Sequence, residues 1–210
     1  MFDQQRIAMV DGQLRTNKIT DERVIDLFLT LPREEFAPDG LKGSAYVDED
    51  IDLGQGRSLM EPLVAARMLQ HSEIEAGMTA LVIGAGNGYL PRLLLDLGLE
   101  VTALEAAADL AEQGKAAAVG ATWAVQELGS LPDGSFDRIF VGGAIPEIPA
   151  AWSKALAPGG QIIAPIAGAR GNDGQLVIAV ETNGLLSSRS LCNAAVPALP
   201  EFTQAPGFSL

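Results

Sequence analysis

Apolar residues follow two regimes along this 210-residue chain. Before residue 75 they recur at helical spacing. After Met78 they gather into short continuous runs that alternate with helix-like stretches. Within residues 4–15, Ile7, Val10 and Leu14 mark one face, with Met9 beside them. A second helix is predicted with Thr20 as N-cap and Arg23 where a capping box prefers Glu. It runs through Val24, Leu27, Phe28 and Leu31 and stops before Pro32. Residues 38–56 read as loop, and a helix over 62–71 begins with proline in its first turn.

In the second regime the strand candidates are 79–83, 100–105, 121–125, 137–142 and 160–166, and the helix candidates are 89–97, 106–118 and 147–156. Gly98, Gly120, Pro132-Asp133-Gly134 and Pro158-Gly159-Gly160 punctuate them. Alternation of this kind builds βαβ units and a parallel sheet covered on both faces. Two further strands, over 175–180 and 187–196, are joined by a hairpin turn at Asn183-Gly184. The closing stretch, 197–210, contains three prolines and is expected to be irregular. The pattern implies one domain with three parts: N-terminal helices and loop (1–75), a cofactor-binding core (76–170), and terminal strands and tail (171–210).

One junction carries the chemistry. The run Thr79-Ala80-Leu81-Val82-Ile83 breaks into Gly84-Ala85-Gly86-Asn87-Gly88 and then into a helix. Glycines permit tight turning and close backbone approach, and a helix N-terminus presents free N–H groups to a ligand. The next strand ends in Glu105, at about the interval where nucleotide folds place a ribose-binding acid. The Gly-x-Gly-x-Gly spacing favours an adenosyl cofactor over a dinucleotide. A plain alternative exists for each feature: glycines in a strand-to-helix turn serve sterics alone, and Glu105 is suited to a helix macrodipole.

Composition narrows the function. With 48% hydrophobic residues the chain has ample material for a core, and its formal charge of −13 disfavours nucleic acid and anionic membrane partners. No apolar run is long enough to span a bilayer, and the first residues are polar, so a cytoplasmic protein is expected. A lone Cys192 excludes an internal disulfide and a cysteine-rich zinc site; a lone His71 excludes a histidine-rich metal site and weakens any Ser-His-Asp arrangement. No metal is expected. The acidic cluster Asp48-Glu49-Asp50-Asp52 reads as a solvated loop.

Several ordered blocks carry a resemblance. They are Met9-Val10-Asp11-Gly12-Gln13-Leu14-Arg15, Asp21-Glu22-Arg23-Val24, and Leu31-Pro32-Arg33-Glu34-Glu35-Phe36-Ala37-Pro38. Ala45-Tyr46-Val47-Asp48 and Leu53-Gly54-Gln55-Gly56-Arg57-Ser58-Leu59-Met60-Glu61-Pro62 follow. Further on stand Phe136-Asp137-Arg138-Ile139-Phe140-Val141-Gly142-Gly143-Ala144, Pro146-Glu147-Ile148-Pro149 and Leu156-Ala157-Pro158-Gly159-Gly160-Gln161. In this order the chain resembles the protein-L-isoaspartate O-methyltransferase family along nearly its full length. The resemblance implies an α/β fold: a doubly wound, seven-stranded Rossmann-like class I methyltransferase sheet with a helical N-terminal extension. It implies S-adenosylmethionine as cofactor, with Gly84, Ala85, Gly86 and Gly88 against its methionine part, Glu105 on the ribose hydroxyls, and Glu127 and Leu128 by the adenine. The acceptor implied is an isoaspartyl carboxylate in a damaged protein or peptide. Such a carboxylate ordinarily titrates at a pH of about 4 and is already ionised at neutral pH, so positioning rather than a strong base drives transfer.

The chain departs from that family's pattern. Val82 stands where the family has an acid that organises the cofactor's amino end. Ser58-Leu59-Met60 replaces Thr-Ile-Ser: Ser58 keeps a hydroxyl, and Met60 replaces the serine that meets the reacting carboxylate. Leu63 replaces an aromatic residue or His. Arg57 is a new cation, suited either to gripping a carboxylate in a fork or to a surface pair with Glu61. Ser58, Met60 and Arg57 are the acceptor-side candidates. Three readings stay open: isoaspartyl repair, the same fold with another methyl acceptor, and a non-catalytic relative acting through a partner. The oligomeric state is not legible.

Overall fold

A computed structural model describes residues 1–168 and 173–203. Helix α1 (Phe2–Met9) widens into a π turn, Val10–Leu14, around Gly12, and ends in a 3-10 turn with Lys18 at φ 65°. The helix expected over 4–15 is therefore two segments with different hydrogen bonding. Helix α2 (Glu22–Thr30) is capped by Asp21, whose carboxylate accepts the Arg23 N–H at 3.0 Å. The predicted cap, Thr20, instead donates its N–H to Gln70. The expected loop over 38–56 holds a 3-10 turn, Asp39–Ser44, and half of a small hairpin, β1 (Ile51–Gly54) with β2 (Arg57–Leu59). Helix α3 (Pro62–His71) follows, with His71 as its last residue.

The sheet is built from β3 (Thr79–Ile83), β4 (Glu100–Glu105), β5 (Thr122–Val125), β6 (Phe136–Val141), β7 (Leu156–Ile166), β8 (Gln175–Thr182) and β9 (Leu185–Asn193). Helices α4 (Tyr89–Asp96) and α5 (Ala108–Ala117) connect its first strands. The order is β5-β4-β3-β6-β7-β8-β9; the first five are parallel and the last two antiparallel. Strand order reverses at β3, so the crevice beyond its carboxyl end is where an open sheet of this kind takes ligands. Asn183 and Gly184 turn the β8–β9 hairpin with φ of 54° and 80°, the left-handed pair a two-residue hairpin turn requires. The Pro158-Gly159-Gly160 segment, expected to be a turn, lies inside β7 as a register shift against β6. In place of a helix over 147–156 there is a 3-10 turn, Ala150–Ala155, and Leu156 already begins β7.

Strand β3 shows how the core divides. Ala80 and Val82 join the larger cluster, formed with α1 to α4, while Leu81 and Ile83 join a second cluster on the other face. That second face is covered by Trp152 of the 3-10 turn and by Leu199 and Phe202 of the tail. Of the tail expected to be irregular, 197–203 forms a short 3-10 turn at Pro200–Phe202, and 204–210 lies outside the described residues. Among the described residues, no helix is long and apolar enough to cross a membrane, and no cluster of metal-ligating side chains forms.

Candidate functional site: a crevice at the switch point of the sheet

The glycine loop begins where β3 leaves the sheet. The N–H groups of Gly84 and Ala85 both donate to the Leu104 carbonyl, at 2.9 and 3.1 Å, which draws the loop onto the end of β4. Gly84, Gly86 and Gly88 have φ of 71°, 56° and 91°, a region that side chains rarely adopt. Across the switch point, the Gly142 N–H donates to the Ile83 carbonyl at 2.8 Å, and a Cβ there would strike the Gly84 carbonyl. A Cβ at Gly88 would strike the Gly114 Cα of α5 at 2.8 Å, so this glycine lets helix and loop pack closely.

Glu105 is fully buried at the end of β4, and its carboxylate turns toward the glycine loop. One oxygen accepts the Gly86 N–H at 2.7 Å and the other accepts the Ala107 N–H at 2.8 Å. Backbone donors thus orient it before any ligand arrives.

Arg57 is also buried, and it completes the coordination of that carboxylate. Its Nε lies 3.0 Å from both Glu105 oxygens and its Nη2 lies 2.8 Å from one. The far edge of the guanidinium donates to Glu201, at 3.2 Å from Nη1 and 2.6 Å from Nη2. Burial works against the Arg57 charge, but the hydrogen bonds to Glu105 and Glu201 outweigh it and hold its pKa above the ordinary value. Of the two alternatives for Arg57, the surface pair with Glu61 does not form; the guanidinium grips carboxylates of the chain itself, Glu105 and Glu201. Glu61 stands half-buried near Asp48 and Asp50, and burial followed by those two charges pushes its pKa up to about 7. Asp50 is itself half-buried and accepts the Glu61 N–H at 2.8 Å, so the acidic cluster is not wholly a solvated loop.

Leu199 fills the remaining mouth. It is 1% exposed, and a Cβ at Gly84 would lie 3.1 Å from it and 3.7 Å from Leu128. A Cβ at Gly143 would meet Leu199 at 2.8 Å, and Pro200 crowds Gly56. What is left open is a cavity of about 30 Å³, lined by Gly84, Ala85, Gly86, Asn87, Ser58 and Met60 among others. Ser58 and Met60 therefore share a wall with the glycine loop. Glu127 is exposed after β5, while Leu128 is buried beside Leu199. Pockets that hold small ligands run to about 300 Å³ or more, so this cavity alone is too small for an adenosyl cofactor; a larger one of about 320 Å³ adjoins it, sharing Leu53 and Asn87. Donors and apolar surface belonging to the chain itself stand where ribose and base are expected. Sequence reading missed Leu199, Pro200 and Glu201. The only signal was an acid set between Leu199 and Phe202 in a proline-rich tail.

Nearby, the Tyr46 hydroxyl donates to Glu34, and Arg6 binds both, at 2.9 Å to Tyr46 and 3.3 Å to Glu34. Burial and the Glu34 charge push the Tyr46 pKa up to about 12. This triad ties α1 to the segment that leads into β1, one wall of the crevice.

A mostly parallel sheet that reverses order at β3, a glycine loop there and an acid ending β4 define a doubly wound, nucleotide-binding α/β architecture. A structure described as a protein-L-isoaspartate O-methyltransferase from Plasmodium falciparum, in complex with S-adenosyl-L-homocysteine, superposes with a TM-score of 0.77 at 20% identity, over 92% of this chain and 97% of that one. Residues 4–195 match the protein-L-isoaspartate(D-aspartate) O-methyltransferase family, and the chain belongs to it. Relatives include the protein-L-isoaspartate O-methyltransferase of Methanoculleus marisnigri, 34% identical over 169 residues and 77% of each chain. Another, from Roseiflexus sp., is 30% identical over 200 residues, 91% of this chain and 90% of its own.

Proposed function

We propose that the chain is an S-adenosylmethionine-dependent O-methyltransferase of the isoaspartyl-repair type, acting on proteins or peptides that carry isoaspartyl residues. The observation that carries this reading is Glu105: in a chain of this family, a carboxylate is locked by the Gly86 and Ala107 N–H groups at the switch point of the sheet. Gly84, Ala85 and Gly86 are the proposed cofactor-side backbone, and Ser58 and Met60 the proposed acceptor side, because all five face one cavity. Arg57 is committed to Glu105 and Glu201, so it is free to grip an acceptor carboxylate only after those contacts open. A cytoplasmic setting is part of the proposal, supported by the lone Cys192.

The test is to incubate the chain with S-adenosylmethionine and an isoaspartyl peptide, with the aspartyl isomer as control, and to follow methyl ester formation by mass spectrometry. Ester on the isoaspartyl peptide alone is expected. Ester on neither peptide, from a chain that binds the cofactor, would move the acceptor to another class. One observation favours a second reading, a non-catalytic member: the filled crevice, together with fully buried Val82 in place of a polar anchor. Failure to bind the cofactor under any condition is its signature.

A further inference from the structure

Residues 197–203 are held against the crevice and the adjoining face of the sheet through four different kinds of contact. The Ala144 N–H donates to the Pro197 carbonyl and the Leu199 N–H donates to the Ala144 carbonyl, both at 2.9 Å, which pins the segment beside the end of β6. Leu199 inserts its side chain between Gly84 and Gly143. Glu201 holds the outer edge of Arg57. Phe202 stands edge-on to Trp152, with ring centroids 5.7 Å apart.

We propose that this segment is a strap built into the fold, that Leu199 and the Arg57–Glu201 pair occupy the adenosyl crevice from within, and that strap and ligand exclude one another. The inference rests on the adenosyl reading of the crevice and adds its regulation. The chemistry of substitution is direct. A ribose diol offers O–H donors to a carboxylate; Arg57 offers Nε–H and Nη2–H to the same carboxylate, Glu105. Leu199, beside Leu128, supplies there the apolar surface that a base would otherwise bring.

The strap is also made to open. Its outer latch is wet: the Glu201 side chain is 32% exposed, against 1% for the Arg57 it holds. Water competes for the Glu201 carboxylate at this half of the latch, whereas the Arg57–Glu105 half is closed to solvent. Among the described residues, the strap's backbone joins the sheet region through an isolated bridge, Ala144 with Ala198, and its one regular element is the Pro200–Phe202 turn. Its release breaks few backbone bonds, a property of the low-stability elements that move in response to ligands.

The full chain and its Leu199→Ala/Glu201→Gln variant are titrated calorimetrically with S-adenosylhomocysteine. In parallel, amide hydrogen exchange of 197–203 is followed in the unaltered chain with and without the ligand. The strap predicts binding at least about tenfold tighter in the variant, a difference of about 1.4 kcal/mol. It also predicts faster exchange at the Leu199 N–H when ligand is bound. Equal affinities, or bound ligand with 197–203 still protected, would overturn the strap and leave the adenosyl reading standing. No binding to either protein would overturn both. Glu201→Gln alone, changed at a partly exposed side chain, serves if the double variant does not fold, and the exchange measurement needs no variant.

Discussion

Arg57 is the residue on which most of the crevice turns. It has carboxylates on two sides, and its pairing with fully buried Glu105 is closed to solvent. Removing one partner of such a pair strands the other charge, at a cost of about 3–5 kcal/mol. Arg57→Met should therefore lower the thermal midpoint markedly. Arg57→Met/Glu105→Gln, which removes the stranded charge and keeps an acceptor for one of the Gly86 and Ala107 N–H groups, should regain part of that loss. A double variant no better than the single one would show that the pair is not coupled. Glu61 gives a pH signature. Its folded pKa, about 7, lies above the ordinary glutamate value of 4.5, so its protonated form stabilises the fold; that contribution is complete below pH 4.5 and is lost as pH rises through 7. Glu61→Gln should melt higher than the unaltered chain at pH 8, with the advantage shrinking toward pH 4.5. An advantage that is flat with pH would contradict the assignment. At this scale Glu105 was readable because a strand end fixes where its side chain must go. The partners of Arg57 were not readable: they lie 48 and 144 residues away, while Glu61 is its neighbour in sequence.

At the scale of elements, the strands of the βαβ region and the β8–β9 hairpin lie close to where continuous apolar runs and Asn183-Gly184 placed them. Elements whose hydrogen bonding departs from the α-helix were hidden. The π turn at Val10–Leu14 and the 3-10 turn at Ala150–Ala155 keep apolar spacing that a helix also satisfies. The β1–β2 hairpin is too short for an alternation to register. Asp21→Ala, which removes the cap of α2, should cost about 1 kcal/mol in chemical denaturation; no change would place the cap elsewhere. Gly142→Ala presses a methyl group onto the Gly84 carbonyl, where β6 and the glycine loop meet. Overpacking of this kind costs about 1–3 kcal/mol. A melting point equal to that of the unaltered chain would mean that the loop yields easily.

For the molecule as a whole, the alternation of strand and helix made the parallel sheet legible and the resemblance implied its seven strands; the reversal of order at β3 puts the crevice where the glycines are. What alternation could not reveal is that the second face of the sheet has a thin cover. Trp152 and the tail residues Leu199 and Phe202 close it in place of a long helix. The tail therefore belongs to a core and to a binding crevice at once, a dual role no local pattern encodes. The most direct measurement is a crystal structure of the full chain grown with S-adenosylhomocysteine. The ligand's ribose is predicted on Glu105, with its methionine part along Gly84–Gly86 and with Leu199 and Arg57 moved out of the crevice. Ligand bound elsewhere, or Leu199 and Arg57 still in place beneath it, would contradict this account.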